Sequence, residues 1–349
     1  MVNSNVSLNF SHLHEKHIQI SGSASLYYVV KSDKLKSDWN IKVKRRILKT
    51  LLDAMLCHRG DPTMMRNGCL ILCQFQIPAD VIFDYRRLVE NLLHIVSDYS
   101  DEDRFNQRAG IFLLNTLACQ VDGQQKILVG SLGAVEKMLQ IITEKLQQGI
   151  CDDVMETAWS TMWNVTDETP VNCQRFLNAG GMFLFLKCKR RFPEKADLLR
   201  NMMGLLGNVA EVPSLRPKLM TKEFVEEFDF LLDSCRDGIE VSYNAAGVLA
   251  HMASDGPDAW TIKHPERIHV LSRMSRAINR WNLKSERNIN YRSFAPIIKL
   301  AGINFVMCNI QTSRKCFRSR KSRPVLWLID MIDIHIKFEE IQIFRWSIS

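Results

Sequence analysis

The chain has 349 residues and a formal net charge of +8, with 46% apolar and 24% charged residues, which is ordinary for a soluble globular protein. No apolar run reaches the roughly 18 residues of a membrane-spanning helix. Residues 1–17 lack the basic and apolar regions of a secretory signal. We therefore expect a cytoplasmic or nuclear protein that does not act at a membrane.

The distribution of charge and cysteine argues against a nucleic-acid or metal site. Residues 301–349 carry eight Lys/Arg and four Asp/Glu, so this tail supplies half of the net charge. The rest shows no basic stripe interleaved with aromatic residues. The ten cysteines form no C-x-x-C pair and no metal-ligand spacing, and most lie in apolar stretches where cysteine acts as a small hydrophobe. We expect no metal and no cofactor.

Residues 1–40 form a mixed lead-in segment. Its run SASLYYVV, residues 23–30, ends in aromatic and β-branched residues and is strand-like. We expect the lead-in to be partly loose.

Helical repeats begin after this segment. Four segments have the pattern of buried helices, and their alignment brings Asn115, Asn164, Asn208 and His251 into register at spacings of 49, 44 and 43 residues. A weaker, earlier copy places Cys73 at the same position. Such periods are typical of armadillo and HEAT repeats. The five segments are residues 65–75, 107–120, 158–169, 202–212 and 245–256.

Amphipathic segments connect these helices. Residues 130–146 and 178–192 each open on small residues with glycine, followed by apolar positions at helical spacing. Residues 219–235 occupy the same place in the next repeat, with Thr221 as a candidate N-cap and Glu223 in the first turn. One such unit cannot bury its apolar face alone, so neighbours must stack. We predict an all-α, armadillo/HEAT-like superhelix with a concave groove lined by the last helix of each repeat.

This predicted repeat domain spans residues 41–300, where the pattern stops. Residues 301–349 contain a basic run at 313–323 and then a β-branched stretch at 325–344, which has no partner in a helical solenoid. We expect a weakly ordered, solvated tail. A nuclear-localisation signal is the alternative interpretation of its basic run.

The shared register of asparagines is the first functional feature. An amide carries both donors and an acceptor, so on an inner helix it can pair with the backbone of an extended peptide. The alternative is that each asparagine bonds to a neighbouring loop. For the three successive amides Asn115, Asn164 and Asn208, the pattern leaves both interpretations open.

Two acids accompany these asparagines at one offset. Asp167 lies three residues after Asn164, and Glu211 lies three after Asn208, which places each acid on the same helical face as its asparagine or at that helix's C-terminal edge. Two carboxylates facing one groove repel each other and favour a bound cation, and a peptide α-amine is a compact cation with three donors. The alternative is two solvated acids at helix ends.

Two tryptophans precede the first of these acids. Trp163 adjoins Asn164 and can form a wall that leaves no room for a side chain, which would favour glycine as the first residue of a ligand. Core packing is the alternative for Trp163, and it is what we expect for Trp159, one turn earlier.

The motifs WNVTDET and LLGNVAEV make a family resemblance specific. With DGIEVSYNAAGVLAHM and ERNINYRSF, they resemble the armadillo-repeat region of the Zyg-eleven/ZER-one family, nearest to its Zyg-eleven branch. The resemblance covers about residues 18–300.

The resemblance implies a substrate receptor of cullin-two RING ubiquitin ligases that recognises N-terminal glycine degrons. In this family, the amine and first peptide unit sit in a pocket made by a tryptophan, two asparagines and two acids. The matching residues here are Trp163, Asn164, Asp167, Asn208 and Glu211. Asn244 lies near the same groove by its helix position and is a sixth candidate.

Two departures from the family pattern affect these expectations. No leucine-rich repeat precedes the armadillo region, so we expect contact with cullin-RING components only through family regions absent here. The sequence also diverges from about Ala301, where a further repeat should close the groove, as in an isoform or truncated product. We expect this loss to weaken substrate affinity and the stability of residues 260–300.

Two other function classes remain to be weighed. A general armadillo scaffold that binds internal peptide segments is the main alternative. A hydrolase or metal enzyme is disfavoured, because the nine histidines form no H-x-x-x-H or H-E-x-x-H pattern and Ser242 lacks a G-x-S-x-G context. We expect no catalytic activity, and a partner that is a protein with an N-terminal glycine.

Overall fold

The computed structural model describes residues 12–31, 39–97, 104–234 and 240–287. Within these ranges the regular elements are α-helices and two short 3₁₀ turns, with no β-strand. The prediction of an all-α fold is therefore confirmed. The chain divides into two compact units, Met1–Val209 and Ala210–Ser349.

The described part of the first unit is a succession of helices joined by short connections. They are α1 (Lys16–Lys31), α2 (Ile41–Cys57), α3 (Pro62–Leu72), a 3₁₀ turn (Ile82–Asp84), α4 (Tyr85–Ile95), α5 (Phe105–Cys119), α6 (Gly123–Ser131), α7 (Ala134–Gln148), α8 (Asp153–Thr166), α9 (Pro170–Asn178), α10 (Gly181–Arg191) and α11 (Ala196–Glu211), whose last two residues belong to the second unit.

The helices of the first unit pack in the order that stacked repeats require. The last helix of each repeat lies against the last helix of the next, so α3 packs on α5 and α5 packs on α8. A second row of contacts joins α2 to α4 and α7 to α10. Each helix thus buries its apolar face against an equivalent neighbour, as in a repeat protein.

Two successive repeats contain three helices each, α6–α8 and α9–α11. In each, a glycine with positive φ separates the short first helix from the second: Gly133 at φ +92° and Gly180 at φ +79°. This left-handed conformation is strained for residues that have a Cβ. The Gly-containing turns predicted from the sequence are therefore present, and the helices after them begin at Ala134 and Gly181.

The strand-like prediction for residues 23–30 is wrong, because these residues belong to helix α1. This helix packs on α3, where the Asn67 amide donates hydrogen bonds to the Ile20 carbonyl and the Ser23 hydroxyl at 3.3 and 3.0 Å. Tertiary packing has overridden β-propensity. The buried residues recur at helical spacing and are Gln19, Ser23, Leu26 and Val30.

The second unit continues the helical pattern. Thr221 accepts a hydrogen bond from the Phe224 amide at 3.3 Å, which confirms its predicted role as N-cap. Helix α13 packs on α14, and α14 packs on α15. The described elements after α11 are a 3₁₀ turn (Pro213–Leu215), α12 (Arg216–Leu219), α13 (Lys222–Leu231), α14 (Glu240–Ser254) and α15 (Arg267–Arg287).

The cysteines divide between core and surface. Cys69, Cys173 and Cys188 are buried, as predicted for small hydrophobes, whereas Cys57 and Cys73 are exposed at the ends of α2 and α3. The apolar pattern around a cysteine therefore did not decide its burial.

Two predictions fall outside what the structure describes. The tail at 301–349 and residues 288–300 of the predicted repeat domain lie beyond the described ranges. In the part that is described, no helix combines the length and the apolar character needed to cross a membrane.

Candidate functional site

The two tryptophans of α8 have different environments. Trp159 is fully buried and packs edge-to-face on Phe176, with ring centroids 6.1 Å apart, so its predicted place in the core is confirmed. Trp163 is only partly buried. Its indole lies against the backbone of α11 at Gly204, where an added Cβ would come within 2.4 Å of the ring. The absence of a side chain at Gly204 therefore allows the indole to pack on the helix.

Asn208 is bound to the C-terminal end of α8. Its Nδ2 donates hydrogen bonds to the Trp163 carbonyl oxygen at 2.9 Å and to the Thr166 Oγ1 at 3.1 Å. Carbonyls of the last helical turn have no partner within their own helix. Asn208 satisfies one of them from the next repeat, which brings the second predicted asparagine beside the predicted tryptophan.

Asn115 and Asn164 pair directly across adjacent repeats. The Asn164 Nδ2 donates a hydrogen bond to the Asn115 Oδ1 at 3.0 Å, and both residues are half-buried. The asparagine register therefore includes bonds within the chain, although these run to helices of adjacent repeats and not to a neighbouring loop. Each amide has two donors and one acceptor, however, and these bonds use only part of that capacity.

Asp167 lies just beyond the end of α8, in an extended conformation. It is thus at the helix's C-terminal edge, one of the two placements that the spacing allowed. Its Oδ2 forms an ion pair of 2.5 Å with the Nζ of Lys126 on α6. The Lys126 side chain is 8% exposed, whereas that of Asp167 is 41% exposed.

The Lys126 pair corrects the charge argument made from the sequence. The sequence predicts that two acids in one groove favour an external cation, but the chain itself supplies a cation to Asp167. Only the Oδ2 atom is used, and Oδ1 has no hydrogen-bond partner among the described residues. The carboxylate is therefore held from one side and retains an acceptor on the other.

The segment around Asp167 is anchored on both sides. The Asn172 Nδ2 donates to the carbonyl oxygens of Lys126 and Val165, both at 2.9 Å. The Thr169 hydroxyl donates to the same Val165 carbonyl at 2.6 Å. Glu168 adopts a positive φ of 53°, uncommon for a residue with a Cβ. These bonds tie α6 to the end of α8 and hold the backbone at Asp167 in place.

The remaining predicted residues belong to the second unit. Glu211 is the last residue of α11 and is exposed, and Asn244 is half-buried in α14. Arg216 caps this end of α11, since its Nε donates to the Ala210 carbonyl at 2.6 Å and its Nη2 to the Glu211 carbonyl at 3.3 Å. Arg216 also forms an ion pair with Asp255. The backbone that carries Glu211 is therefore held by a cation.

In the second unit, His251 occupies the register position that Asn115, Asn164 and Asn208 hold in the first unit. It is 6% exposed, and burial, together with the nearby Arg216 charge, lowers the pKa of its imidazole to about 4. A neutral imidazole is thus built into the fold at neutral pH.

The stability of the chain should fall in mild acid because of His251. Above pH 6.5 the imidazole is neutral in both the folded and unfolded states. Below it the unfolded chain binds a proton that the folded chain excludes until about pH 4. We expect a loss of about 2 kcal/mol in unfolding free energy between pH 6.5 and 5. Denaturant unfolding at several pH values measures it.

The control for this pH effect is His251→Asn, which inserts the residue found at the equivalent position of three other repeats. This variant should lose the His251 component of the pH dependence. An identical slope in the two proteins would show that another group is responsible.

Three residues that matter at this site were missed from the sequence. Lys126 lies in the short helix α6, and nothing in its spacing marks it as buried. Thr166 lies within the motif WNVTDET, whose pattern assigns it no role. Gly204 did carry a signal, because a glycine inside a helical pattern often marks a close approach of another element.

A family model described as "Protein zer-1 homolog-like, C-terminal domain" matches residues 8–310. Over 83% of its length, the chain is 56% identical to a Drosophila melanogaster protein named "Protein zer-1 homolog" and 50% identical to the Homo sapiens protein of that name. It is 49% identical to the Caenorhabditis elegans "Zyg eleven-related protein 1" over the same share. The matches cover 40%, 37% and 32% of these relatives, so the chain spans two fifths of their length or less.

Solved structures also resemble the fold. Two crystal structures of engineered proteins match with TM-scores of 0.52 at 16% and 15% sequence identity. The matches cover 73% and 72% of this chain and 97% and 98% of those proteins. At this identity the likeness concerns the fold alone.

Proposed function

This chain belongs to the zer-1 homolog-like family, and on that basis we propose that it is a substrate-recognition module that binds N-terminal glycine degrons. In this proposal it serves a cullin-RING ubiquitin ligase in the cytoplasm or nucleus, and it binds its partner without catalysis. The other ligase components would bind regions of the longer relatives that this chain does not span. The motifs favoured the Zyg-eleven branch, whereas the relatives above carry zer-1 or Zyg eleven-related names.

The observation that carries the proposal is a set of acceptor oxygens in the first unit. The Oδ1 atoms of Asn164, Asp167 and Asn208 have no hydrogen-bond partner among the described residues. Neither asparagine Oδ1 is a fully buried atom. A peptide α-ammonium has three N–H donors and no acceptor, so its needs match such a set in number and kind. Bonds of this charge-assisted type are the strong ones.

The preference for glycine rests on Trp163. Its indole is held by packing on Gly204, so it can act as a fixed wall beside the amine rather than as a mobile side chain. A first residue with a Cβ would have to displace this wall. The unused Nδ2 donors of Asn115 could then bind a carbonyl of the following peptide unit.

Glu211 remains part of the proposed site because Lys126 already neutralises Asp167. The ligand's ammonium therefore favours a further negative charge, and Glu211 is the predicted source. Asn244 is the predicted polar contact farther along the groove. Both assignments follow from the family motif and are tested by substitution.

A peptide with a free N-terminal glycine should bind, and its N-acetylated form should bind about 10–100 times more weakly, since acetylation removes the ammonium and one or more charge-assisted bonds. An alanine-initiated peptide should also bind weakly because of Trp163. Fluorescence polarisation with a dye at the peptide C-terminus measures all three affinities.

Equal binding of the free and acetylated peptides would contradict recognition of the amine. It would instead favour the alternative function, a general armadillo scaffold that binds internal peptide segments. The asparagine amides support that alternative as well, because they can pair with any extended backbone.

A further inference from the structure

An open groove of about 500 Å³ lies on the first unit, remote in sequence from the residues discussed above. It is lined by Arg45, Arg46 and Lys49 of α2 and by Phe83 of the 3₁₀ turn. The Arg45 guanidinium lies 5.5 Å from the centroid of the Phe83 ring. The fold therefore adds an aromatic wall to a basic helix, although the two are more than 30 residues apart in the sequence. We call this feature the α2 groove.

The α2 groove has an excess of positive charge. None of Lys42, Arg45, Arg46 and Lys49 forms an ion pair within the part of the chain that the structure describes. By contrast, the acids around it are already paired. Lys44 binds Asp80, and Arg87 binds both Asp53 and Asp84. A ligand in the groove would therefore meet uncompensated cations.

Exposed apolar side chains include Phe83 of the groove and two residues close to its lining along the chain, Ile41 and Ile82. Ile41 is 50% exposed, Ile82 41% and Phe83 37%. Ile41, Arg45 and Lys49 share one face of α2, because they are spaced by four residues. Exposed apolar side chains that lie close together on a surface mark an interaction site, and the neighbouring cations set the charge of the ligand.

We propose that the α2 groove binds an acidic peptide segment with interspersed apolar side chains. Lys42 to Lys49 span about 10 Å along the helix, which matches about three residues of an extended peptide. Carboxylates of the peptide pair with the cations, and an apolar residue packs on Phe83 and Ile82. This binding is independent of the function proposed above.

A nucleic acid fits the α2 groove less well. One face of the Phe83 ring is covered by the Arg45 guanidinium, so two bases cannot stack on both of its faces, whereas a single apolar side chain needs only one. The neighbouring cations Lys44 and Arg87 are already paired with Asp80, Asp53 and Asp84, so they are not available to the phosphates of a backbone that continued beyond the stripe.

The test uses the full chain and a fluorescent peptide of sequence Glu-Leu-Asp-Glu-Leu-Asp, with Gln-Leu-Asn-Gln-Leu-Asn as its neutral counterpart and single-stranded RNA as a second probe. The variant Arg45→Gln/Lys49→Gln removes two exposed cations of the groove. The matched control Lys187→Gln/Lys222→Gln removes two cations elsewhere, and Lys187 also lies over an aromatic ring, that of Phe183.

The acidic peptide should bind the parent chain and the control equally, and the groove variant about tenfold more weakly. Binding should also weaken as salt is raised from 50 to 200 mM. The proposal is overturned if the acidic and neutral peptides bind alike, if the groove variant and the control behave alike, or if RNA binds the groove in preference to the peptide.

Discussion

Asp167→Asn should lower the free energy of unfolding by about 3 kcal/mol and weaken binding of a glycine-initiated peptide by about 10–150-fold. The loss of stability comes from Lys126, whose side chain is 8% exposed and would remain as a buried charge without a counter-ion. The loss of affinity comes from the missing carboxylate charge opposite the ligand's ammonium. Denaturant unfolding and fluorescence polarisation measure the two effects separately.

The two effects can be separated with Lys126→Met. Alone, this change should cost less than Asp167→Asn, because the Asp167 carboxylate is 41% exposed and water can solvate it. Combined with Asp167→Asn, it should recover most of the lost stability without restoring peptide binding. If the double variant is no more stable than Asp167→Asn, the ion pair is not the cause of the instability.

Glu211→Gln provides the matched control for charge. Glu211 is exposed, so its substitution should change the free energy of unfolding by less than about 0.5 kcal/mol. It should nevertheless weaken binding of the glycine-initiated peptide if the second acid contributes to the site. Unchanged affinity would remove Glu211 from the proposed site without affecting the role of Asp167.

Gly204→Ala should destabilise the protein by about 2–3 kcal/mol, although alanine is ordinarily the better helix former. The new Cβ would lie 2.4–2.6 Å from three atoms of the Trp163 ring, which is rigid and cannot yield at its end as a flexible chain can. The indole must therefore move. The measurements are the unfolding free energy and Trp163 fluorescence.

Gly207→Ala is the control in the same helix. A Cβ at Gly207 meets no atom within 4 Å, so this substitution should be neutral or stabilise by up to about 1 kcal/mol. If the proposed site is correct, Gly204→Ala should also weaken peptide binding, whereas Gly207→Ala should leave it unchanged. Equal stability of the two variants would contradict the packing of Trp163 on α11.

Most of the proposed site could be predicted from the sequence, because its residues are related by spacing within one helix or by the period between successive repeats. Trp163, Asn164 and Asp167 follow one another at the end of α8, and the 44-residue period pointed to Asn208 as the equivalent of Asn164. The bond from Asn208 to the Trp163 carbonyl is consistent with that alignment. The sequence could not show that the Asn208 amide nitrogen would donate to a carbonyl at the end of α8 while the Asn208 amide oxygen remains available as an acceptor.

The sequence alone determined the helical class, the repeat period and the turns, because these depend on spacings of three to four residues and on glycine at positive φ. Only the tertiary structure decided which distant groups meet: Lys126 with Asp167, Phe83 with Arg45, and Trp163 with Gly204. The physical reason is that a side chain's local pattern is the same whether it faces water or a neighbouring repeat. Its charge state and burial depend on how the repeats stack.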